Sequence, residues 1–427
     1  MKITNSAITI PILVTILLLS FYGSSKELRV QSATSEDWPM FHHDPAHTGY
    51  TTSQGPTTIP TKVWSYHIKQ SNNYNTSIGA SPAVANGYLY INNDKGTFFC
   101  LNASTGTPIW NNTGGGQYYS SPAVDSGIVY TGYSGITAYN ASTGDTLWNY
   151  NVVGSLGHSV SISDGVAYTS SGEHLFALNA STGATLWNTT PNGGTPALAY
   201  GYVYGGTSGK VYAYNVSTGE LAWNNTVAVE AVGFYSPSIA DGRVYISSAL
   251  SNDNRVYCFD ALTGAHMWNY TTGSWVRTSP AVVGGIVYAG SNDGNIYALN
   301  ASNGNKIWSF KTGVQPGETG ANGGFVGSSP AVAGGIVYVG SLDGNVYALD
   351  ALTGAKIWSY NTGSSIESSP AVVNGYIYLA SADGTVFALG NVSNSVFPDL
   401  ILVIIILFVF LLLILSVALI MRNRKTR

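Results

Sequence analysis

The chain has 427 residues, of which 50 are Gly, 29 Tyr and 10 Trp, while only 9% are charged. So much aromatic and apolar side chain cannot stay in water, which excludes a disordered chain, and the mixture suits many short strands joined by tight turns. Between residues 26 and 396 there are 12 Lys and Arg against 20 Asp and Glu, a net charge of −8 that repels phosphates and excludes a nucleic-acid partner.

In chain order, residues 1–25 read as a secretory signal peptide. Lys2 precedes an apolar run from Ile8 to Leu19, short for a membrane span, and Gly23 and Ser25 offer small residues for cleavage. Residues 26–60 form a lead-in segment containing DWPMFHHDPAHTGYT at 37–51. His43, Asp44 and His47 are its metal-ligand candidates. No helical or hairpin register aims them at one point, so no metal is expected. Trp38 and Phe41 are instead expected to pack against the ring formed by residues 61–390, with His42, His43, Asp44 and His47 as decoration.

Residues 61–390 are built from one repeated sentence, clearest as SPAVVGGIVYAGSNDGNIYALNASNGNKIWSFKTG at 279–313. Internal repetition fixes architecture before any motif does. Each copy divides into four strands. The first, SPAV-like, starts near Ser81, Ser121, Ser159, Thr195, Ser236, Ser279, Ser329 and Ser369. A Gly-containing turn leads to IVYVGS-like strands, an Asp-Gly turn to VYALD-like strands, and an Asp/Asn-Ala-x-Thr-Gly turn to an outer strand ending in Trp. Four antiparallel strands per ~40 residues, repeated, predict a β-propeller.

The eight tryptophans, Trp64, Trp110, Trp148, Trp187, Trp223, Trp268, Trp308 and Trp358, are expected to fill the wedges between blades. They run out of phase with the SPAV starts: Trp64 precedes the first, and the last copy ends at Leu389 without a Trp. TKVWSYHI (61–68) therefore supplies the missing outer strand of the eighth blade, closing the ring with both chain ends. A linker, 391–399, leads to 22 uncharged residues, 400–421, read as a transmembrane helix. The basic tail 422–427 then sits in the cytoplasm and the propeller outside the cell.

The unit SPAVxxGxVYxGSxDGxVYALDAxTGxxxW resembles the repeat of pyrroloquinoline-quinone (PQQ) dehydrogenases and of their non-enzymatic BamB-like and extracellular relatives. The resemblance covers roughly Asp37 to Gly390. It implies an all-β, eight-bladed propeller of four-stranded blades. For the enzymes it implies an adjacent Cys-Cys disulfide against PQQ, with Glu, Asn and Asp ligands for calcium. This chain has no such pair: Cys100 and Cys258 each replace the Ala of VYALD, in opposite blades, and read as small buried residues. GTSGK (206–210) lacks the spacing of a phosphate loop, and His158, His174 and His266 fall in different blades. Neither PQQ nor calcium is expected, and no catalytic residue is assigned.

Eleven Asn-x-Ser/Thr sequons mark possible N-glycosylation. Asn102, Asn140, Asn179, Asn215 and Asn300 lie in the turn between the third and fourth strands; Asn111, Asn188, Asn224 and Asn269 directly follow an outer-strand Trp; Asn75 and Asn391 lie elsewhere. Sugars there would cover one face and the rim. The opposite face, made by the second-to-third-strand turns and the blade links, stays open, with Asp94, Glu173, Asp293, Glu318, Asp343 and Asp383 as candidate binding-loop residues. Because the linker after blade eight is short, that face points away from the membrane. The resulting expectation is a cell-surface, membrane-anchored, non-catalytic scaffold for protein or polysaccharide partners. The alternatives are a membrane-anchored PQQ-dependent oxidoreductase and a structural cell-envelope glycoprotein.

Overall fold

The structure, a computed structural model, describes residues 37–391 apart from 69–76, 114–119, 133–134, 152–157, 172–173, 191–192, 208, 228–235, 249–252 and 314–323. The signal peptide, the 400–421 run, Asn75, Glu173 and Glu318 lie outside the described residues. Among those described, no helix is long and apolar enough to cross a membrane.

Eight four-stranded antiparallel blades ring a common axis. Blade 1 comprises Ala83–Ala85, Tyr88–Asn92, Thr97–Asn102 and Pro108–Thr113, in order from the axis outward. Burial follows position. The two middle strands pack blades on both faces and read as continuous apolar runs, such as Ile336–Gly340, buried at every residue. Outer strands alternate, because one face looks to a neighbouring blade and the other to water; Thr146–Asn151 is typical.

The wedge between blades is filled as the tryptophans predict. Trp223 donates its indole N–H to the Ala261 carbonyl of the next blade at 2.9 Å, and Tyr204 donates its hydroxyl to the same oxygen at 3.1 Å. The indole lies flat on Gly264, where an added Cβ would come within 2.4 Å of the ring. The same indole bond recurs from Trp64, Trp110, Trp148, Trp187, Trp268 and Trp308 onto the turns of the following blades, at 2.8–3.1 Å. Each buried indole contributes about 2–3 kcal/mol through its area, and its hydrogen bond about 1 more.

The eighth blade joins the chain's ends. Thr61–His67 pairs antiparallel with Thr385–Gly390, placing Trp64 opposite Ala388. This blade has no turn between its third and fourth strands, so Trp358 and Tyr338 find their acceptor elsewhere: both donate to the Pro56 carbonyl, at 2.9 and 3.2 Å. Residues just before the closing strand thus replace the missing turn.

The lead-in is more than decoration. An innermost strand has an unpaired edge facing the axis, and residues 37–54 run along that edge around the whole ring. Carbonyls of Trp38, Pro39, Pro45, Ala46, Thr48 and Gly49 accept the N–H groups of Val84, Val124, Leu198, Ile239, Val282 and Val332, at 2.6–2.9 Å. Blade 3 is reached by His47, whose Nε2 lies 3.0 Å from Ser161 Oγ, and blade 8 by the Gln54 carbonyl, which accepts from Gly375 at 2.7 Å. To follow this path the segment turns sharply, with His42, His43 and His47 at φ of 56°, 77° and 56°. Trp38, Met40, His42 and His47 are buried. Burial pushes His42 down to about 3 and His47 to about 4, so both are neutral.

Candidate functional site: an axial funnel

With the lead-in across the axis, the centre of the ring becomes a funnel of about 470 Å³, with Phe41 of the lead-in in its lining. It opens on the face made by blade links and second-to-third-strand turns. Its waist carries the eight residues that start the innermost strands: Ser81, Ser121, Ser159, Thr195, Ser236, Ser279, Ser329 and Ser369.

In blades 2, 6, 7 and 8 these hydroxyls stand in Ser-Ser-Pro or Thr-Ser-Pro tripeptides. The first hydroxyl stays within its blade: Ser328 Oγ accepts the Gly340 N–H at 3.1 Å, and Thr278 Oγ1 that of Gly290 at 2.9 Å. The second reaches back to the preceding blade. The N–H of Ser81 is accepted by Ser121 Oγ, that of Ser121 by Ser159 and that of Ser159 by Thr195, at 2.9–3.0 Å. The series continues from Ser279 to Ser329, from Ser329 to Ser369, and from Ser369 back to Ser81, each at 3.0 Å. One chain of hydrogen bonds therefore runs from blade 6 through blades 7, 8, 1, 2 and 3 to blade 4, and Ser279 Oγ at its blade 6 end accepts none. Each of the six accepting oxygens spends a lone pair on the ring and keeps an O–H proton to donate, making the waist rich in donors.

Above the waist the lining is unrepeated. Arg277 and Glu367 occupy equivalent positions, two residues before the ring serines of blades 6 and 8, with Gly327 at the same place in blade 7. The Arg277 guanidinium stacks over Trp275 at 4.8 Å. Phe325 and Leu342 add apolar surface, and Asn292 a buried amide. His158 Nε2 accepts the Gly194 N–H at 3.4 Å, and burial lowers its pKa to about 4, leaving a neutral ring. Such a funnel suits a partner group rich in hydrogen-bond acceptors, with Arg277 for a negative charge and Phe41 and Phe325 for a ring or alkyl face.

The described aspartates of the open face are turned into their own turns and towards the preceding blade. Asp343, buried, accepts the N–H of Gly313 at 2.8 Å, the N–H of Asn345 at 2.8 Å and the hydroxyl of Tyr347. Asp293 repeats this with Gly273, Asn295 and Tyr297. Asp94 accepts from Ser77 at 3.1 Å and pairs with Lys95 at 3.1 Å, while Asp383 holds Ser381 and Thr385. These carboxylates lock the rim of the open face instead of lining the funnel.

The lead-in candidates also diverge. Asp44 accepts from the Thr48 N–H and hydroxyl, His47 Nε2 points to Ser161, and His43 Nδ1 lies 3.7 Å from Asp44. Among the described residues, no group of three or more His, Cys, Asp or Glu is arranged to hold a metal ion. Nor does the described funnel lining fit PQQ with calcium. Calcium takes six to eight oxygens, whereas that lining offers a single carboxylate, Glu367. Cys100 and Cys258 are buried separately within blade strands, and burial pushes both thiols up to about 12.

A closed eight-bladed ring docked by tryptophan, with a threaded axis, defines the class of protein. The family described as outer membrane protein assembly factor BamB matches residues 60–190 and 316–394. Among solved structures, BamB from Moraxella catarrhalis superposes with a TM-score of 0.60 at 21% identity, over 78% of this chain and 100% of that one. The quinohemoprotein alcohol dehydrogenase of Comamonas testosteroni gives 0.67 at 15% identity, over 85% and 81%. The computationally designed Ika8 protein gives 0.62 at 18%, over 75% and 98%. These likenesses are of fold. No curated protein matches the chain. The repeat of this chain is similar to that of PQQ-like β-propeller proteins.

Proposed function

We propose that this protein is an exported, membrane-anchored, non-catalytic binding scaffold. On this reading the funnel face is presented away from the membrane to an envelope protein or polysaccharide, and an acceptor-rich group of that partner enters the funnel. The reading rests on one observation: the funnel has a donor-rich waist, a charged and aromatic mouth, and the lead-in across its axis. Among the described residues the lining holds no second carboxylate and no nucleophile–base pair, which supports binding over catalysis. The apolar run at 400–421 and the basic residues after it support the anchor and its direction.

The test uses the full-length chain in detergent, immobilised and exposed separately to polysaccharide and protein fractions of its own host's envelope. One fraction should be retained, and Arg277→Ala with Glu367→Gln should weaken retention about tenfold, the effect of losing one charge-assisted hydrogen bond. Equal retention by that variant sinks the funnel as the site. Tight stoichiometric uptake of PQQ with calcium, with dye-linked alcohol or sugar oxidation, would replace the reading with an oxidoreductase. Protease treatment of intact cells should cut the propeller.

A further inference from the structure

Seven blades make the same third turn, and it begins with either Asn or Asp. Both hold it identically. Asn140 Oδ1 accepts the N–H groups of Ser142 and Thr143 at 2.9 and 3.0 Å; Asp350 Oδ1 accepts those of Leu352 and Thr353 at 3.1 and 2.8 Å. Turn chemistry therefore does not choose between them. The residue two places on does follow the choice. It is Ser after each of Asn102, Asn140, Asn179, Asn215 and Asn300, and Leu after both Asp260 and Asp350. Leu262 and Leu352 are 59% and 71% exposed, so packing does not select the residue at this position. Asn and Ser occur together, as a modifying enzyme that reads Asn-x-Ser/Thr requires.

The outer strands show a second coupling. In blades 1, 3, 4 and 5 the Trp is followed by exposed Asn111, Asn188, Asn224 and Asn269, with exposed Thr113, Thr190, Thr226 and Thr271 two places on. In blades 6, 7 and 8 it is followed by Ser309, Ser359 and Ser65, with Lys311, Asn361 and His67 two places on, and Lys306, Lys356 and Lys62 stand two places before the Trp. No Lys or Arg occurs in the outer strands of blades 1–5. Lysine and sequon thus exclude each other on the rim; blade 2, with Asn149 and Asn151, has neither.

An outer strand presents an unpaired row of backbone N–H and C=O groups, and proteins keep such edges from adding a foreign strand with lysines, bulges or covers. Every outer strand here already has a register break just before its Trp, and the residue there is often apolar and exposed, as with Leu147 and Ile307, 47% and 44%. A bulge alone leaves that rim adhesive.

We infer that N-linked oligosaccharides on Asn111, Asn188, Asn224 and Asn269 guard the outer edges of blades 1, 3, 4 and 5, in the role lysines fill on blades 6–8. The five turn asparagines carry the same modification on the adjoining face. In the turns Oδ1 alone holds the backbone, so Nδ2 is available. Nδ2 bonds to the anomeric carbon of a lipid-phosphate-linked oligosaccharide; the bond from that carbon to the phosphate oxygen breaks, the lipid phosphate leaves with the electron pair, and one amide proton passes to the transferase. The rim then has a sugar-coated sector and a bare basic sector. This inference rests on the exported placement of the propeller and on nothing about the funnel.

The test is glycopeptide mass spectrometry of the full-length chain from its own host. Sugar mass is expected on the rim asparagines and on the turn asparagines. Asn140→Asp, which blade 7 shows to be compatible with the turn, should lose one glycan with no change in Tm. Replacing the four rim asparagines by Ser should remove four glycans and raise aggregation at least several-fold. Adding Lys at 113, 190, 226 and 271 should restore the monomer. Unmodified asparagines in a chain that proteases reach on intact cells overturn this inference and leave the scaffold reading standing. So does a sugar-free rim variant that stays as monomeric as the parent. A propeller shielded in the cytoplasm overturns both.

Discussion

Seven of the eight blade junctions repeat one contact, an indole laid on a turn glycine of the next blade. Residues 37–54, by contrast, occur once in the chain and touch all eight blades. The wall spreads its stability over equivalent, short-range junctions, so a defect in one is bounded by its neighbours. The thread has no spare copy. It caps the inner edges, seats Phe41 at the funnel and carries the chain to the closing strand. Repetition supplies rigidity, and the single unrepeated segment supplies the registration of all blades about one axis.

Removing residues 37–54 while keeping the closing strand is the severest test of that contrast. Six inner-strand N–H groups lose carbonyl partners. At about 1 kcal/mol each the loss is roughly 6 kcal/mol, a fall on the order of 10 °C in Tm for a ring of this size. Calorimetry should also show a broader transition, because blades no longer share one axial tie. An unchanged, sharp melt would mean that water caps those groups equally well and that the wall alone sets registration.

Acid should act most on the thread, which holds His42 and His47, while the wall carries one comparable group, His158, lowered to about 4 by burial. His42 and His47 have folded pKa values lowered from 6.5 to about 3 and about 4, chiefly by burial. Above pH 6.5 both are neutral in either state, and their contribution is fully present. As pH falls below 6.5 the unfolded chain takes up protons that the folded chain refuses, so stability declines until the folded values are reached. At about 1.4 kcal/mol per unit and residue, the loss by pH 4.5 is roughly 5 kcal/mol. Burial raises the Asp44 carboxyl, but its bonds to His43 and Thr48 outweigh this and lower it. Denaturant midpoints between pH 7 and 4.5 should fall steeply for the parent and more gently for His47→Gln; parallel slopes would place the acid-sensitive group in the wall.

The wall was legible because its constraints recur. Ser-Pro starts, turn glycines and tryptophans appear at one spacing, and a reader needs only the physics of one blade to place all eight and to match Trp64 with the last. The thread was not legible, since its hydrogen bonds use backbone carbonyls, which no side-chain pattern records. His47 looks like a ligand in a string, and it and His42 become neutral packing groups only once the axis closes around them. The funnel was half legible. The ring hydroxyls stand in the repeat at Ser81 and its equivalents, but Arg277 and Glu367 sit in links where the repeat lapses. Those lapses, two residues before each ring serine, were the available signal. The bracing of Asp293 and Asp343 was not read from the sequence, because a turn that looks exposed there is bonded in three dimensions; Tyr297 and Tyr347, four residues on, were the clue.

The smallest effect lies inside a single wall blade and separates packing from backbone conformation. Gly242, in the first turn of blade 5, and Gly264, in its third, have nearly the same φ, +71° and +70°. An Ala at 242 would meet nothing within 4 Å, so only the left-handed conformation penalises it, by about 1 kcal/mol. At 264 the new methyl would come within 2.4 Å of the Trp223 ring, which cannot retreat because its N–H is held by Ala261 at 2.9 Å. Overpacking adds about 2 kcal/mol to the same backbone cost. Denaturant titration of Gly242→Ala and Gly264→Ala should therefore differ about threefold in ΔΔG. Equal losses would mean that indole docking tolerates a methyl, and that the recurrence of glycine at this turn is set by conformation alone.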